Sequence, residues 1–204
     1  AVTMSNWIDK VQAVASVWYP GEAGGDAIAA ILFGDYNPAG RLPITFPQHE
    51  GQLPLVYSHK PTGRGDDYNN LSGLPLFPFG YGLSYTSFAY SGVQLSANNI
   101  STSDSSVVSF TISNTGSRDG DEVVQLYIRD VLSTVARPVM ELKGFQRVHL
   151  KAGETKTLSF VITPELLSML NEKMERVVEP GAFQLMIGAS SSEIKLKTIL
   201  NVVE

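Results

Sequence analysis

The sequence predicts an α/β fragment that leads through an aromatic linker into an all-β sandwich of about seven strands. Three observations carry this. A β-branched run, a Gly-rich turn and a helical apolar face follow one another near the start. Short runs of strict apolar/polar alternation fill the second half, with turn residues between them. Between the two lies "PLFPFGYGLSYTSFAY", residues 75–90, where Phe77, Phe79, Tyr81, Tyr85, Phe88 and Tyr90 are interleaved with Pro78, Gly80 and Gly82.

In the first segment, Ser5 is placed to cap a short helix running through Lys10. "VQAVASVWY", residues 11–19, is small and β-branched and stops at Pro20-Gly21, which reads as a buried strand. Residues 22–33 then set Ala27, Ile28, Ile31 and Leu32 on one helical face, with Gly34 as the residue that ends the helix. One strand–turn–helix unit cannot cover both faces of its strand. Residues 1–50 therefore read as the C-terminal part of a larger α/β domain. "RLPITF", residues 41–46, is extended, with Pro43 demoting it to an edge or irregular strand. Residues 48–74 read as a loop, long enough to be functional or packed against something. The domain reading is thus 1–50, a loop and packed linker over 51–90, and a sandwich over 91–204. An aromatic linker is not a free tether: its rings bury while its glycines let the backbone turn.

The strands of the second half are expected over 93–98, 107–113, 122–129, 141–150, 155–162, 182–189 and 194–203. Val108, Phe110 and Ile112 share a face, as do Val124, Leu126 and Ile128, then Leu158, Phe160 and Ile162, then Phe183, Leu185 and Ile187. "NTGSRDG", "KAGE" and "EPGA" supply turns, and "TPELLSML" inserts a short helix with Thr163 as cap and Pro164 at its first position. Such spacing is that of an immunoglobulin-like or fibronectin type III-like sandwich.

Composition narrows function. The 204 residues are 43% hydrophobic and 17% charged with a formal net charge of −5, an ordinary globular balance without a basic run. That argues against nucleic acid or an anionic membrane as partner. The sequence has no cysteine, which removes disulfides, thiolate chemistry and Cys-based zinc sites, and no apolar run reaches 18 residues. His49, His59 and His149 lack metal-ligand spacing, so neither metal nor cofactor is expected. "AVTMSNWIDK" reads as the start of a piece of a longer protein.

Taken together, "WYPGEAGGDAIAAILFGDYNPAGRLPITFP" and "PLFPFGYGLSYTSF" resemble the C-terminal part of glycoside hydrolase family 3, the β-glucosidase and β-xylosidase family. "NTGSRDGDEVVQLYIRD", "ELKGFQRVHLKAGETKTLSF" and "EPGAFQLMIGASS" resemble that family's trailing fibronectin type III-like domain. "TGRGDDY", residues 62–68, resembles a variant seen in one branch. The resemblance implies a larger retaining enzyme, with a barrel carrying an Asp nucleophile and an α/β domain supplying the acid/base Glu, two carboxylates about 5–5.5 Å apart. No acidic residue here matches either catalytic motif, so the chain alone is expected to be inactive. The implied partners are the upstream catalytic part of the same enzyme, its oligosaccharide substrate, and a second copy through the sandwich surface. The implied location is periplasmic or secreted.

Candidate contact residues are Arg64, Asp66, Asp67 and Tyr68, in the long loop. Carboxylates and Arg suit paired hydrogen bonds to sugar hydroxyls, and Tyr offers a ring face to a pyranose. The alternative is a solvated or interface loop. Arg64-Gly65-Asp66 also spells an adhesion tripeptide, a match too short to carry weight. Glu22 reads as a carboxylate favoured by a helix N-terminus, and Trp18 as core or interface packing, with a sugar platform as its alternative. A stand-alone carbohydrate- or protein-binding sandwich is the rival to the enzyme reading. It would need an exposed row of aromatics, for which residues 91–204 offer only Phe110, Tyr127, Phe145, Phe160 and Phe183.

Overall fold

A computed structural model describes residues 1–62 and 66–204. A single 3₁₀ turn, Ile8–Lys10, opens the chain. Ser5 does not cap it; its hydroxyl donates to the Gln48 carbonyl at 2.5 Å and pins the N-terminus to the later loop. Residues 11–19 are a second departure. They are exposed throughout, and no described strand pairs with them. Trp18 is 51% exposed, edge-on to Phe46 with ring centroids 6.4 Å apart, and Tyr19 is fully exposed. A β-branched run becomes a buried strand only where neighbours accept its backbone groups and cover its faces, and no described element lies alongside.

Helix α1 spans Gly24–Phe33 and ends at Gly34, which takes the left-handed conformation (φ 82°) and donates its N–H to the Ile31 carbonyl. Ile28, Ala30 and Ile31 are half-buried, whereas Leu32 and Phe33 point to solvent. Glu22 precedes the Ala23 cap; Asp26 is the carboxylate in the first turn. "RLPITF" shortens to one bridge, Phe46 against Phe77, and a 3₁₀ turn at Glu50–Gln52 follows.

Pairing in the second half begins at Phe88. The strands are β1 (Phe88–Leu95), β2 (Asn99–Ser101), β3 (Ser106–Asn114), β4 (Gly120–Asp130), β5 (Glu141–Leu150), β6 (Thr155–Ile162), β7 (Met169–Leu170), β8 (Arg176–Val177), β9 (Gly181–Gly188) and β10 (Ile194–Val203). Helix α2, Pro164–Leu167, follows β6. Thr163 holds the cap position with no side-chain bond to the helix backbone; its hydroxyl bonds instead to the Glu165 carboxylate, holding that group below the usual range.

One sheet has the order β1-β3-β6 and the other β2-β10-β9-β4-β5. All pairings are antiparallel except β2 with β10. The core between them holds Val108, Phe110, Ile112, Val124, Leu126, Ile128, Ile162, Leu185, Ile187 and Leu200. Each such side chain contributes about 1.5–3 kcal/mol by leaving water. Leu167 of α2 joins the same core.

The five-stranded sheet is also covered on its outer face. Alternation along β4 turns Gln125 and Tyr127 away from the core, yet they are 2% and 0% exposed. Tyr57, Phe79 and Gly80 lie over them. Tyr57 stacks on Phe79 (centroids 4.3 Å) and sets its edge on Tyr127 (5.8 Å). Gln125 donates from Nε2 to the Gly80 and Ala189 carbonyls (3.1 and 2.6 Å), and its Oε1 accepts from the Tyr127 hydroxyl. The Ser191 N–H reaches the Phe79 carbonyl at 3.0 Å. Gly80 has φ 80°, and a Cβ there would stand 2.1 Å from Gln125 Oε1. Gly80→Ala is expected to cost more than about 1 kcal/mol in denaturant unfolding, because conformation and space both oppose it. A variant within a few tenths of the wild type would contradict this close approach.

Candidate functional site

A cleft of about 430 Å³ opens between the long loop and the sandwich. Its walls include Pro54 to Tyr57, His59, Lys60, Asp66, Asp67 and Tyr68 from the loop, Pro78 and Phe79 from the aromatic segment, and Val139, Met140, Ser191 and Ser192 from the sandwich. Three of the four residues singled out in the sequence therefore meet at one opening. Arg64 lies outside the described residues.

The three do different things. Asp66 is the freer carboxylate: it lies 3.7 Å from His59 Nε2 and accepts a long bond from the Thr62 hydroxyl (3.4 Å), with more than half its side chain in solvent. Asp67 is occupied locally. Its Oδ1 accepts the Gly73 N–H at 2.8 Å and the Ser72 hydroxyl at 3.4 Å, closing the turn between them. Tyr68 anchors the same turn by its N–H to the Leu71 carbonyl (2.8 Å), leaving its ring half-exposed, tilted toward His49. The neighbours in sequence thus split into an available acid, a structural acid and an open ring face.

What holds this loop in shape is Gln52, which has no distinguishing motif around it. It is buried, and its amide is fully used. Oε1 accepts the Gln48 N–H (2.6 Å), while Nε2 donates to the carbonyls of Ser72 and Leu74 (3.2 and 3.1 Å). The His49 side chain completes a reciprocal cap of the 3₁₀ turn with Gln52.

A second set of polar groups fastens the N-terminal half to the sandwich. Asn37 accepts from the Ser84 hydroxyl and the Tyr85 N–H and donates to the Asp119 carbonyl, all within 2.7–2.9 Å. Tyr85 donates its hydroxyl to the Ile31 carbonyl at 2.7 Å, beneath the Arg118 guanidinium, which also binds the Gly34 carbonyl. Arg41 forks onto both oxygens of buried Glu122 (3.0 and 3.1 Å). Arg147 links Tyr36 Oη (2.6 Å) to Asp121, which His149 also engages at 2.6 Å. Burial pulls the Asp121 carboxyl upward, but the bonds from His149 and Arg147 outweigh it and hold the group below its usual range.

A two-sheet sandwich with a long loop fastened over one sheet, and a helix-bearing segment docked at its end, defines a fibronectin type III-like module joined to a helix-bearing N-terminal segment. The chain belongs to glycosyl hydrolase family 3. Residues 1–85 match the glycosyl hydrolase family 3 C-terminal domain, and residues 122–191 match the fibronectin type III-like domain. The chain is 44% identical to a periplasmic β-glucosidase of Salmonella typhimurium over 91% of its own length and 26% of that protein's. It is also 44% identical to a β-xylosidase of Formosa agariphila, over 94% and 27%. Among solved structures, a β-glucosidase from Listeria innocua in complex with glucose superposes with a TM-score of 0.88 at 36% identity, over 93% of this chain and 28% of that one. The chain thus spans about a quarter of the curated relatives' lengths. No helix of the described residues is long and apolar enough to cross a membrane.

Gln52→Ala would orphan the Gln48 N–H and the Ser72 carbonyl, leaving the Leu74 carbonyl to Gln48 Nε2 alone, a cost of about 1–3 kcal/mol. It is expected to open residues 66–74 to limited proteolysis while the sandwich stays resistant. Unchanged cleavage would show that the loop is held by something else.

Proposed function

We propose that this chain is the C-terminal scaffold portion of a retaining β-glycosidase acting on β-linked glucosides or related oligosaccharides, its catalytic carboxylates supplied upstream. The carrying observation is the exposed apolar surface of residues 11–19 and the outer side of α1, where Val11, Val14, Val17, Trp18, Tyr19, Leu32 and Phe33 all face solvent. At about 25 cal/mol per Å² of apolar area, a run of this kind strongly favours a covering partner. Polypeptide preceding this chain is the occupant that fits, since the matched relatives are about four times as long. In this reading residues 1–50 complete an α/β domain, 51–90 form the rim loop and packed linker, and 91–204 form the sandwich.

The cleft loop, which carries Arg64, Asp66, Asp67 and Tyr68, then lies at the rim of the active site, with Asp66 and Tyr68 facing sugar and Arg64, outside the described residues, included on its chemistry alone. The exposed Asp66 carboxylate and the open Tyr68 ring support this role. Asp67, already bonded to Gly73 and Ser72, would act by holding the turn. The periplasmic relative supports a periplasmic or secreted location. The stand-alone binding module is disfavoured: of the sandwich's five aromatics from residue 91 onward, Phe145 alone is largely exposed, and one ring is not a row.

The test is hydrolysis of an aryl β-glucoside by the purified 204-residue chain and by the full-length gene product. The reading expects turnover from the longer protein only. Robust turnover by the isolated chain would overturn it, as would an inactive full-length protein.

A further inference from the structure

The wall of the cleft opposite Gln52 is held from the sandwich. The β4–β5 connection, residues 131–140, carries it: the Val139 N–H donates to the His59 carbonyl at 2.9 Å, and the Leu142 N–H donates to the Tyr57 hydroxyl at 3.2 Å. Val139 and Met140 themselves line the cleft. One side chain fixes this connection. Arg137 donates from Nη1 to Asp130 Oδ2 and to the Leu167 carbonyl, both at 3.0 Å, and from Nη2 to Glu141 Oε2 at 3.2 Å. It therefore ties the end of β4, the start of β5 and the end of α2 to a single planar fork. Its side chain is 8% exposed and that of Asp130 is 2% exposed, so this arm of the clasp is shielded from water and salt, while Glu141 reaches solvent.

We infer that Arg137 is a positioning residue for the rim loop: it holds residues 53–62 at the cleft through Val139 and Leu142 without touching the cleft's contents. The geometry separates this from a purely internal ion pair. Val139 is two residues from the guanidinium's own backbone, and Leu142 follows the Glu141 that it binds. A slack clasp releases both donors at once. Tyr57 then loses the bond that orients its ring between Phe79 and Tyr127, and His59 loses the anchor that presents it to Asp66.

The inference rests on the rim reading, and the test separates the two. In the full-length enzyme, amide exchange over residues 53–62 and steady-state kinetics on an oligosaccharide are measured for Arg137→Lys, for the double variant Asp130→Asn/Arg137→Met, for Tyr57→Phe and for Asp66→Asn. The double variant leaves no unpaired buried charge and guards against simple misfolding. Both Arg137 variants are expected to exchange about tenfold faster over 53–62, with core β4 amides unchanged. They are expected to raise KM about three- to tenfold with kcat within about twofold. Tyr57→Phe should move the same way by less. Unchanged exchange over 53–62 overturns the inference, as does an unchanged KM in the Arg137 variants while Asp66→Asn raises it. Faster exchange with KM unmoved even by Asp66→Asn supports the positioning role and refutes the rim reading instead.

Discussion

Gln125 is the constraint on which the arrangement turns. A polar amide in the middle of β4, on the side of the sheet away from the core, would ordinarily face water. Here it is sealed beneath Tyr57, Phe79 and Gly80: its Nε2 donates to the Gly80 and Ala189 carbonyls and its Oε1 accepts from the Tyr127 hydroxyl. A buried amide stripped of such partners costs about 1–3 kcal/mol. The sheet therefore accepts its covering segment in one register. Tyr57, Phe79 and Tyr127 provide the apolar area of the contact; Gln125 sets its position. Gly80 is needed because any side chain would collide with that amide.

The rest of the joint follows the same logic. Asn37, Tyr85, Arg41 and Asn114 each bind groups far away in sequence, mostly backbone carbonyls or N–H groups. Asn114 alone gathers Thr86, Gly116, Arg118 and Leu150. Polar contacts of this kind specify a geometry more than they add stability. A buried pair such as Arg41 with Glu122 contributes little net free energy, since desolvation offsets its attraction, but it forbids other arrangements. The exposed strap at 11–19 is the reverse case: apolar surface with no specifying partner among the described residues. The molecule is thus finished where it meets the sandwich and unfinished where α1 and the strap face outward.

Much of this was legible because strands advertise themselves. Val108, Phe110 and Ile112 alternate with polar residues, and Leu158, Phe160 and Ile162 in β6 and Phe183, Leu185 and Ile187 in β9 keep the same two-residue spacing; the pleat puts each set on one face. Helix α1 was legible from its apolar spacing and from Gly34. The strap misled because a β-branched run implies burial only when neighbours exist to bury it. Asp66, Asp67 and Tyr68 were picked out by chemical type, and the structure gathers them at one cleft, but type could not tell the available Asp66 from the occupied Asp67. Gln52, Gln125 and Arg137 were invisible. Each is a single polar residue with at least one backbone carbonyl partner 20 to 64 positions away, and no local pattern encodes such a partner.

If the loop and aromatic segment are locked to the sheet through Gln125, the amides that join them should open only with the sandwich itself. Residue-resolved hydrogen exchange comparing the Ser191 amide, which bonds to the Phe79 carbonyl, with the Leu126 amide in central β4 measures this directly. The predicted result is protection of Ser191 within about tenfold of Leu126. Exchange of Ser191 at a rate near that of an unstructured peptide, with Leu126 still protected, would contradict the lock and the positioned cleft with it.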